Sequence, residues 1–430
     1  MKSKTKVLII GAGLSGLSAA YHLRKKYKVR IIEKEGEAGG LATTEKVRGF
    51  RFDRMGHLLH LKNPYVKNLI LHKLFDGKLK KIKRDSRVWF EGVYTRYPFQ
   101  SNTFGLPKKI ADECLREYLK VKFNPPSKKI RTFEDFIYYY FGKGFAKHFM
   151  IPYNRKIWGV HPREMSVEWC KRFVPIPKLE EVIEGAMKNN SKELGYNVNF
   201  YYPSKGIEEL PRKLVSLLSQ DNISVEFGKA ARSIDFKKKE VCFSDGERVK
   251  YDVLISTMPL KELLNHLVSP PSSIIKTKDM LRCKSLFYLD IAIKRPSLKS
   301  FHWCYVPEPH IPFYRVYINS NASRGCAPKG RSSLCVEMSG HKFNNSIIPQ
   351  VLKYLKEMGI IKRETDVLFV LPKYIKYAYV IYDHNYSKIV PAIHKFLNKQ
   401  DIYSIGRYGN WDYSCMEDAL LMGKNVGGFI

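Results

Sequence analysis

Near the start of the chain, the run Gly11-Ala12-Gly13-Leu14-Ser15-Gly16 leaves little choice of architecture around it. The apolar stretch before it, Lys6 to Ile10, reads as a strand. After it, Leu14 to Lys26 places Leu14, Leu17, Ala20, Tyr21 and Leu23 at helical spacing. Val29 to Glu33 then reads as a second strand, so the spacing predicts a β-α-β unit. Each glycine has a physical task there. Gly11 permits a tight turn, Gly13 lets backbone N–H groups approach a pyrophosphate at the helix N-terminus, and Gly16 allows close helix–strand packing. Glu33, at the end of the second strand, is placed to accept hydrogen bonds from a ribose. The unit therefore predicts a bound dinucleotide.

At 430 residues the chain is too long for one hydrophobic core, and two or three packed units are expected. No run approaches the roughly 18 apolar residues of a membrane span. Val7 to Ile10 is too short for a signal peptide, so a cytoplasmic location is the expectation. The eight cysteines form no CxxC pair and no histidines stand at metal-ligand spacing, which predicts reduced thiols and no metal. The formal charge of +34 favours anionic partners. Its densest clusters, Lys78 to Arg87, Lys128 to Arg131 and Lys237 to Lys239, are dispersed, and no nucleic-acid-binding motif accompanies them. A solvated lysine-rich surface is the first reading, and weak association with an acidic membrane face the second.

Beyond the first unit, residues 105–190 read as mainly helical, with Phe133 to Phe149 as one aromatic-rich helix. Ile223 to Phe227, Ala231 to Phe236, Glu240 to Phe243 and Val249 to Ser256 read as short strands. Leu286 to Ile293, Phe313 to Ile318 and Ser333 to Met338 are further strands, and Ile347 to Met358 an amphipathic helix.

A second glycine pair follows Glu33-Lys34, in Gly39-Gly40-Leu41, and Gly49 to His57 comes after it. This pattern resembles the FAD-binding segment of the amine oxidase and protoporphyrinogen oxidase superfamily, where the second segment runs beneath the flavin. That superfamily usually has glycine where Met55 stands. Further blocks are similar to one branch, the UDP-galactopyranose mutases of eukaryotic type. They are Tyr97-Pro98-Phe99-Gln100-Ser101-Asn102, Pro152 to Trp158, Gly195-Tyr196-Asn197 leading into Phe200 to Pro203, Tyr305 with Pro312 to Arg315, and Gly406 to Tyr413.

The resemblance implies an α/β fold. Its Rossmann-type FAD domain, a parallel sheet with a β-meander, is assembled from 1–99, 195–260 and 395–430. A helical domain spans 100–194, and an antiparallel-sheet substrate domain spans 261–394. It implies FAD as cofactor, active when reduced by an external donor. The cofactor would be held by Gly11, Gly13, Leu14, Ser15, Gly16, Glu33, Lys34, Gly39, Gly40, Leu41, Gly56, His57, Arg407, Met416, Glu417 and Asp418. A UDP-sugar would be held by Tyr97, Phe99, Gln100, Asn154 and Trp158 around the uridine, and by Arg315, Tyr305, Tyr379 and Tyr413 on the diphosphate, with Asn197 on a mobile loop. The implied reaction interconverts UDP-galactopyranose and UDP-galactofuranose through a reduced-flavin N5–sugar adduct. The catalytic candidates are His57, Arg315 and Arg172.

Two positions depart from the branch. Arg172 lies one place before the expected second diphosphate arginine, where Phe173 stands, and Glu417 replaces an amide. An arginine in an aromatic strand such as Pro312 to Arg315 needs an anion or a carboxylate beside it. Its alternative role is therefore a structural ion pair. A flavin oxidase or desaturase, or a mutase for another nucleotide sugar, fits the same cofactor signature. A homo-oligomer is compatible with all of these.

Overall fold

A computed structural model describes residues 4–189, 197–338 and 344–430. The strand Lys6–Ile10 sends alternate side chains to opposite faces, as the two-residue period of a strand requires. Val7 and Ile9 enter one core with Leu17, Leu214 and Leu420, while Leu8 and Ile10 enter another with Ile234, Leu254 and Ile393. Burial on both faces suits a parallel sheet. This strand is central in a five-stranded parallel sheet ordered Ile402–Ser404, Val253–Ser256, Lys6–Ile10, Lys28–Ile32, Val225–Glu226. The helices Leu14–Leu23, Glu209–Ser219 and Met416–Asn425 contribute to the first core.

The stretch expected as one strand, 249–256, is divided between two sheets. Arg248–Lys250 closes a three-stranded antiparallel meander with Ala231–Asp235 and Glu240–Phe243, and Val253–Ser256 joins the parallel sheet. The expected helix from Phe133 to Phe149 is also divided. It begins at a Thr132/Asp135 capping box, but Gly142 takes φ +73°. A Cβ on Gly142 would stand 2.3 Å from the Glu117 carbonyl oxygen, and one on Gly144 would stand 2.6 Å from Cys114 Cα. Contact with the helix Lys108–Phe123 thus needs both glycines. A wide-turned segment, Ala146–Met150, then leads into Ile151–Trp158.

The second large sheet has seven strands, in the order Val367–Val380, Cys283–Ile293, Ser332–Met338, Phe313–Tyr317, Trp303–Tyr305, Ser86–Phe90, Val93–Arg96. Its neighbours are antiparallel except Trp303–Tyr305 with Ser86–Phe90. The last two strands come from within 1–99, so this sheet draws on the amino-terminal segment as well. One face, with Leu289, Ile291, Val316 and Val336, packs with Val351 and Leu355 of the helix Ile347–Glu357. The other, with Tyr288, Tyr305, Tyr314 and Tyr317, shares a core with the helices of residues 108–187. The architecture is α/β, a Rossmann-type unit beside separate antiparallel sheets. Among the described residues, no helix is long and apolar enough to cross a membrane.

Candidate active site

Between these units lies a cavity of about 610 Å³. Gly13, Leu14 and Ser15 bring the N-terminus of the first helix to its wall, and Met416, Glu417 and Asp418 bring that of the last helix. A helix N-terminus has N–H groups without intrahelical partners and partial positive charge, a setting for phosphate. Gly39, Gly40, Leu41, Gly56 and His57 complete this stretch of wall with Arg407.

The glycines answer to measured crowding. Gly11 takes φ +100°, and a Cβ there would stand 2.1 Å from Thr257 Oγ1. A Cβ on Gly16 would stand 2.0 Å from the Gly11 carbonyl oxygen. Gly11 and Gly16 therefore shape the turn from behind and do not line the cavity. Glu33 is buried, and its carboxylate accepts from the Ala12 N–H at 2.7 Å and the Glu35 N–H at 3.0 Å. It braces the glycine turn and lies off the cavity wall. Lys34 is exposed and pairs with Glu35 at 3.2 Å, off the cavity wall.

Tyr97, Gln100, Asn154, Trp158, Asn197, Tyr305, Arg315, Tyr379 and Tyr413 line the same cavity. Gly195 and Tyr196, from the block containing Asn197, lie outside the described residues. Phe99 is fully buried in the helical core, stacked on Phe149 with centroids 4.8 Å apart, and Phe149 rather than Phe99 lines the wall. Gln100 Nε2 donates to the Pro175 carbonyl at 2.9 Å. Asn154 donates to the Met150 carbonyl at 2.7 Å and accepts from Trp158 Nε1 at 3.1 Å. Both amides are thereby fixed in orientation.

Arg315 is buried and forms the ion pair expected as its alternative role, with Glu337, a residue the sequence alone did not single out. Its Nε and Nη2 donate to the two oxygens of Glu337 at 2.9 and 2.6 Å, and Nη2 also donates to the Tyr379 hydroxyl at 3.1 Å. Glu337 accepts from Tyr314 as well, at 2.9 Å. Burial, the largest single influence, opposes the guanidinium charge, but Glu337 together with Tyr379, Tyr153 and Tyr314 outweighs it, so the Arg315 pKa lies well above the ordinary value. Trp303 packs against the guanidinium, 4.7 Å from its ring centroid. Trp303 also abuts Gly56, where a Cβ would stand 2.9 Å from Trp303 Nε1. One indole thus separates Arg315 from the Gly56-His57 segment. From Arg315, ring contacts run through Tyr379 and Tyr413 (5.9 Å) to Arg407, which lies 4.6 Å from the Tyr413 ring.

Burial lowers the His57 pKa to about 4, and the nearby Arg407 and Arg315 act in the same direction. His57 is therefore a neutral imidazole near pH 7. Burial raises the pKa of Tyr305 and Tyr379, which stay protonated and able to donate. Met55 takes φ +72°, the left-handed region, which is the physical reason a glycine suits that position. Both N–H groups of Lys62 and Asn63 donate to the single oxygen Oε1 of Glu417, at 2.7 and 2.8 Å.

Arg172 also lines the cavity, but its side chain is half exposed and pairs with Asp418 at 2.8 Å and Asp412 at 3.5 Å. Phe173 borders the same wall and packs edge-on against Tyr413. Arg84 brings a further guanidinium to the wall, 5.7 Å from the Tyr97 ring centroid.

Residues 9–72 match the NAD(P)-binding Rossmann-like domain family. The 1-hydroxycarotenoid 3,4-desaturase of Flavobacterium sp. (strain P99-3) is 25% identical over 68% of this chain and 65% of its own length. The protoporphyrinogen oxidase of Dictyostelium discoideum is 22% identical over 67% of this chain and 66% of its own. The chain thus spans less than two thirds of these curated relatives. A crystal structure of reduced UDP-galactopyranose mutase superposes with a TM-score of 0.92 at 28% identity, covering 99% of this chain and 94% of that one. A putative protoporphyrinogen oxidase from Exiguobacterium sp. 255-15 gives 0.73 at 14% identity, covering 99% and 98%.

The chain thus carries a dinucleotide-binding Rossmann-like unit, and its sequence and fold are similar to those of desaturase, oxidase and mutase proteins. Among these, the structure resembles UDP-galactopyranose mutase across almost the whole chain.

Proposed function

We propose that this protein is an FAD-dependent sugar-nucleotide mutase interconverting the pyranose and furanose forms of UDP-galactose. The carrying observation is a fixed, buried guanidinium among tyrosine hydroxyls, one indole away from the Gly56-His57 segment, in a cavity that also receives two helix N-termini.

The residues present fit FAD. The crowding at Gly11 and Gly16 leaves a bare backbone turn at the first helix, and the buried Trp303 Nε1 has no protein partner among the described residues. Gly13, Leu14 and Ser15 would face the pyrophosphate, with the 416–418 turn and Arg407 toward the flavin. Bound in its reduced form, FAD would supply a nucleophile for the sugar's anomeric carbon, with no net redox change. The protein holds and orients the substrate. Tyr97, Asn154 and Trp158 offer aromatic faces and a fixed amide to the uracil. Arg315 holds the diphosphate through Nη1, the amino group not engaged by Glu337. Its charge stabilises the diphosphate as it leaves and keeps it in place for return. Protonated Tyr305 donates to the same oxygens, while Tyr379, which accepts from Arg315 and donates to Glu337 at 3.4 Å, steadies the ion pair beside them. Neutral His57 leaves the segment beside Gly56 without added positive charge.

The test is turnover. FAD-loaded protein reduced with dithionite, given UDP-galactofuranose, is expected to yield UDP-galactopyranose by chromatography. Absence of conversion with FAD bound and reduced contradicts the proposal. The desaturase and oxidase relatives favour a second reading, an oxygen-using flavin oxidase. Peroxide formation with a porphyrinogen or amine, and no affinity for UDP, would support it.

A further inference from the structure

The helix Ile151–Trp158 carries Asn154 and Trp158 to the cavity and stops at Gly159, with φ +70°. A helix end leaves its last carbonyls in need of donors. Two of them are met from a different unit. Lys284, on the strand Cys283–Ile293, donates from Nζ to the carbonyls of Lys156 and Ile157, the second at 3.2 Å. Gly159 is matched to this arrangement, because a Cβ there would stand 3.1 Å from Lys284 Cδ. The helix answers in the other direction. Lys156 Nζ donates to the carbonyls of Val306, Glu308 and Phe313 at 3.0, 2.8 and 2.6 Å. Those carbonyls belong to the turn and strand start between Trp303–Tyr305 and Phe313–Tyr317, the strands that carry Tyr305 and Arg315.

Both lysines are buried, at 8% and 3% exposure. Burial pulls their pKa values down, to about 7 for Lys156 and about 8 for Lys284. An apolar side chain would fill the same space without that penalty. What an ammonium adds is direction, since its N–H groups fix one backbone against another. Lys284 also lies 5.5 Å from the Tyr314 ring centroid, and Tyr314 donates to the carboxylate that holds Arg315.

We propose that Lys284 and Lys156 are positioning residues that set the distance between the uracil side of the cavity, on Ile151–Trp158, and its diphosphate side, on the strands of Tyr305 and Arg315. This rests on the reading of the cavity as a UDP site.

Lys284→Met keeps the stem and removes the donors. UDP affinity of the FAD-loaded variant is measured by calorimetry beside its melting midpoint, its flavin content and its turnover. UDP Kd and the substrate KM are expected to rise about tenfold or more, with FAD retained and kcat at saturation within about threefold of wild type. Unchanged UDP affinity, or equal losses in kcat and FAD content without a KM change, would overturn the proposal. Gly159→Ala leaves both lysines in place but presses on the Lys284 stem, and serves if Lys284→Met does not fold. The same KM-selective loss is expected, and wild-type affinity there would also overturn the proposal. Wild-type protein that fails to bind UDP would instead refute the nucleotide reading itself.

Discussion

Arg315→Lys separates the charge at the centre of this site from its geometry. In the wild type, Glu337 takes Nε and Nη2 of the guanidinium at 2.9 and 2.6 Å, leaving Nη1 for a ligand. A lysine ammonium gathers its three donors on one atom and lacks the planar fork. Once it satisfies Glu337 it cannot also present a separate donor in the Nη1 direction. A hydrogen bond to a charged group contributes about 1.5–3 kcal/mol, so losing one to the diphosphate weakens UDP binding about 10- to 150-fold. Stability falls less than for Arg315→Ala, because Glu337 keeps a countercharge. The expected difference is about 2 kcal/mol for lysine against about 3–5 for alanine, where a buried carboxylate is left alone. For 430 residues unfolding in one transition, 2 kcal/mol is a shift of about 2 °C. Calorimetric titration of UDP into FAD-loaded protein, with a parallel melting curve, gives both quantities. A lysine variant that binds UDP within about threefold of wild type would refute the reasoning, since charge alone would then suffice.

Gly16→Ala forces a Cβ into the Gly11 carbonyl oxygen, a backbone atom that cannot step aside, and is expected to yield protein without flavin absorbance or no folded protein. Glu417→Gln keeps an oxygen for both backbone donors of Lys62 and Asn63, so a melting midpoint within about 1 °C of wild type is expected, and Glu417→Ala is expected to fall further. His57 and His60 both have folded pKa values lowered to about 4. Their neutral forms are favoured in the fold, so the stability they contribute is present above the unfolded value near 6.5 and is lost as pH falls from 6.5 toward 4. Melting curves should show that decline, and replacing both with asparagine should lessen it.

The dinucleotide unit was legible because its signals are local. The strand alternation, the glycine spacing and the placement of Glu33 all lie within the first 33 residues. Cys283–Ile293, Phe313–Tyr317 and Ser332–Met338 were legible for the same reason, to within a few residues, but their sheet neighbours Val367–Val380, Trp303–Tyr305, Ser86–Phe90 and Val93–Arg96 were not. Long-range facts were not legible either. Arg315 faces Glu337 across two strands, and only the register Arg315↔Glu337 brings them together. A single carboxylate in the apolar run Ser332–Met338 was the available signal, since such a group needs a partner when buried. Gly142 and Gly144 announced the break in the aromatic helix, but the reason lies in the helix Lys108–Phe123 that crosses them. Phe99 and Lys34 mark the limit of matching by blocks. Both sit inside recognisable blocks, and nothing in a block says which side chain faces the cavity and which turns to the core or to solvent.

A crystal structure of the FAD-loaded protein with UDP tests the central claim most directly. The diphosphate is expected within about 3 Å of Arg315 Nη1, with the uracil between Tyr97 and the Asn154–Trp158 pair. A diphosphate bound elsewhere, with the Arg315–Glu337 pair facing an apolar ligand or none, would contradict it.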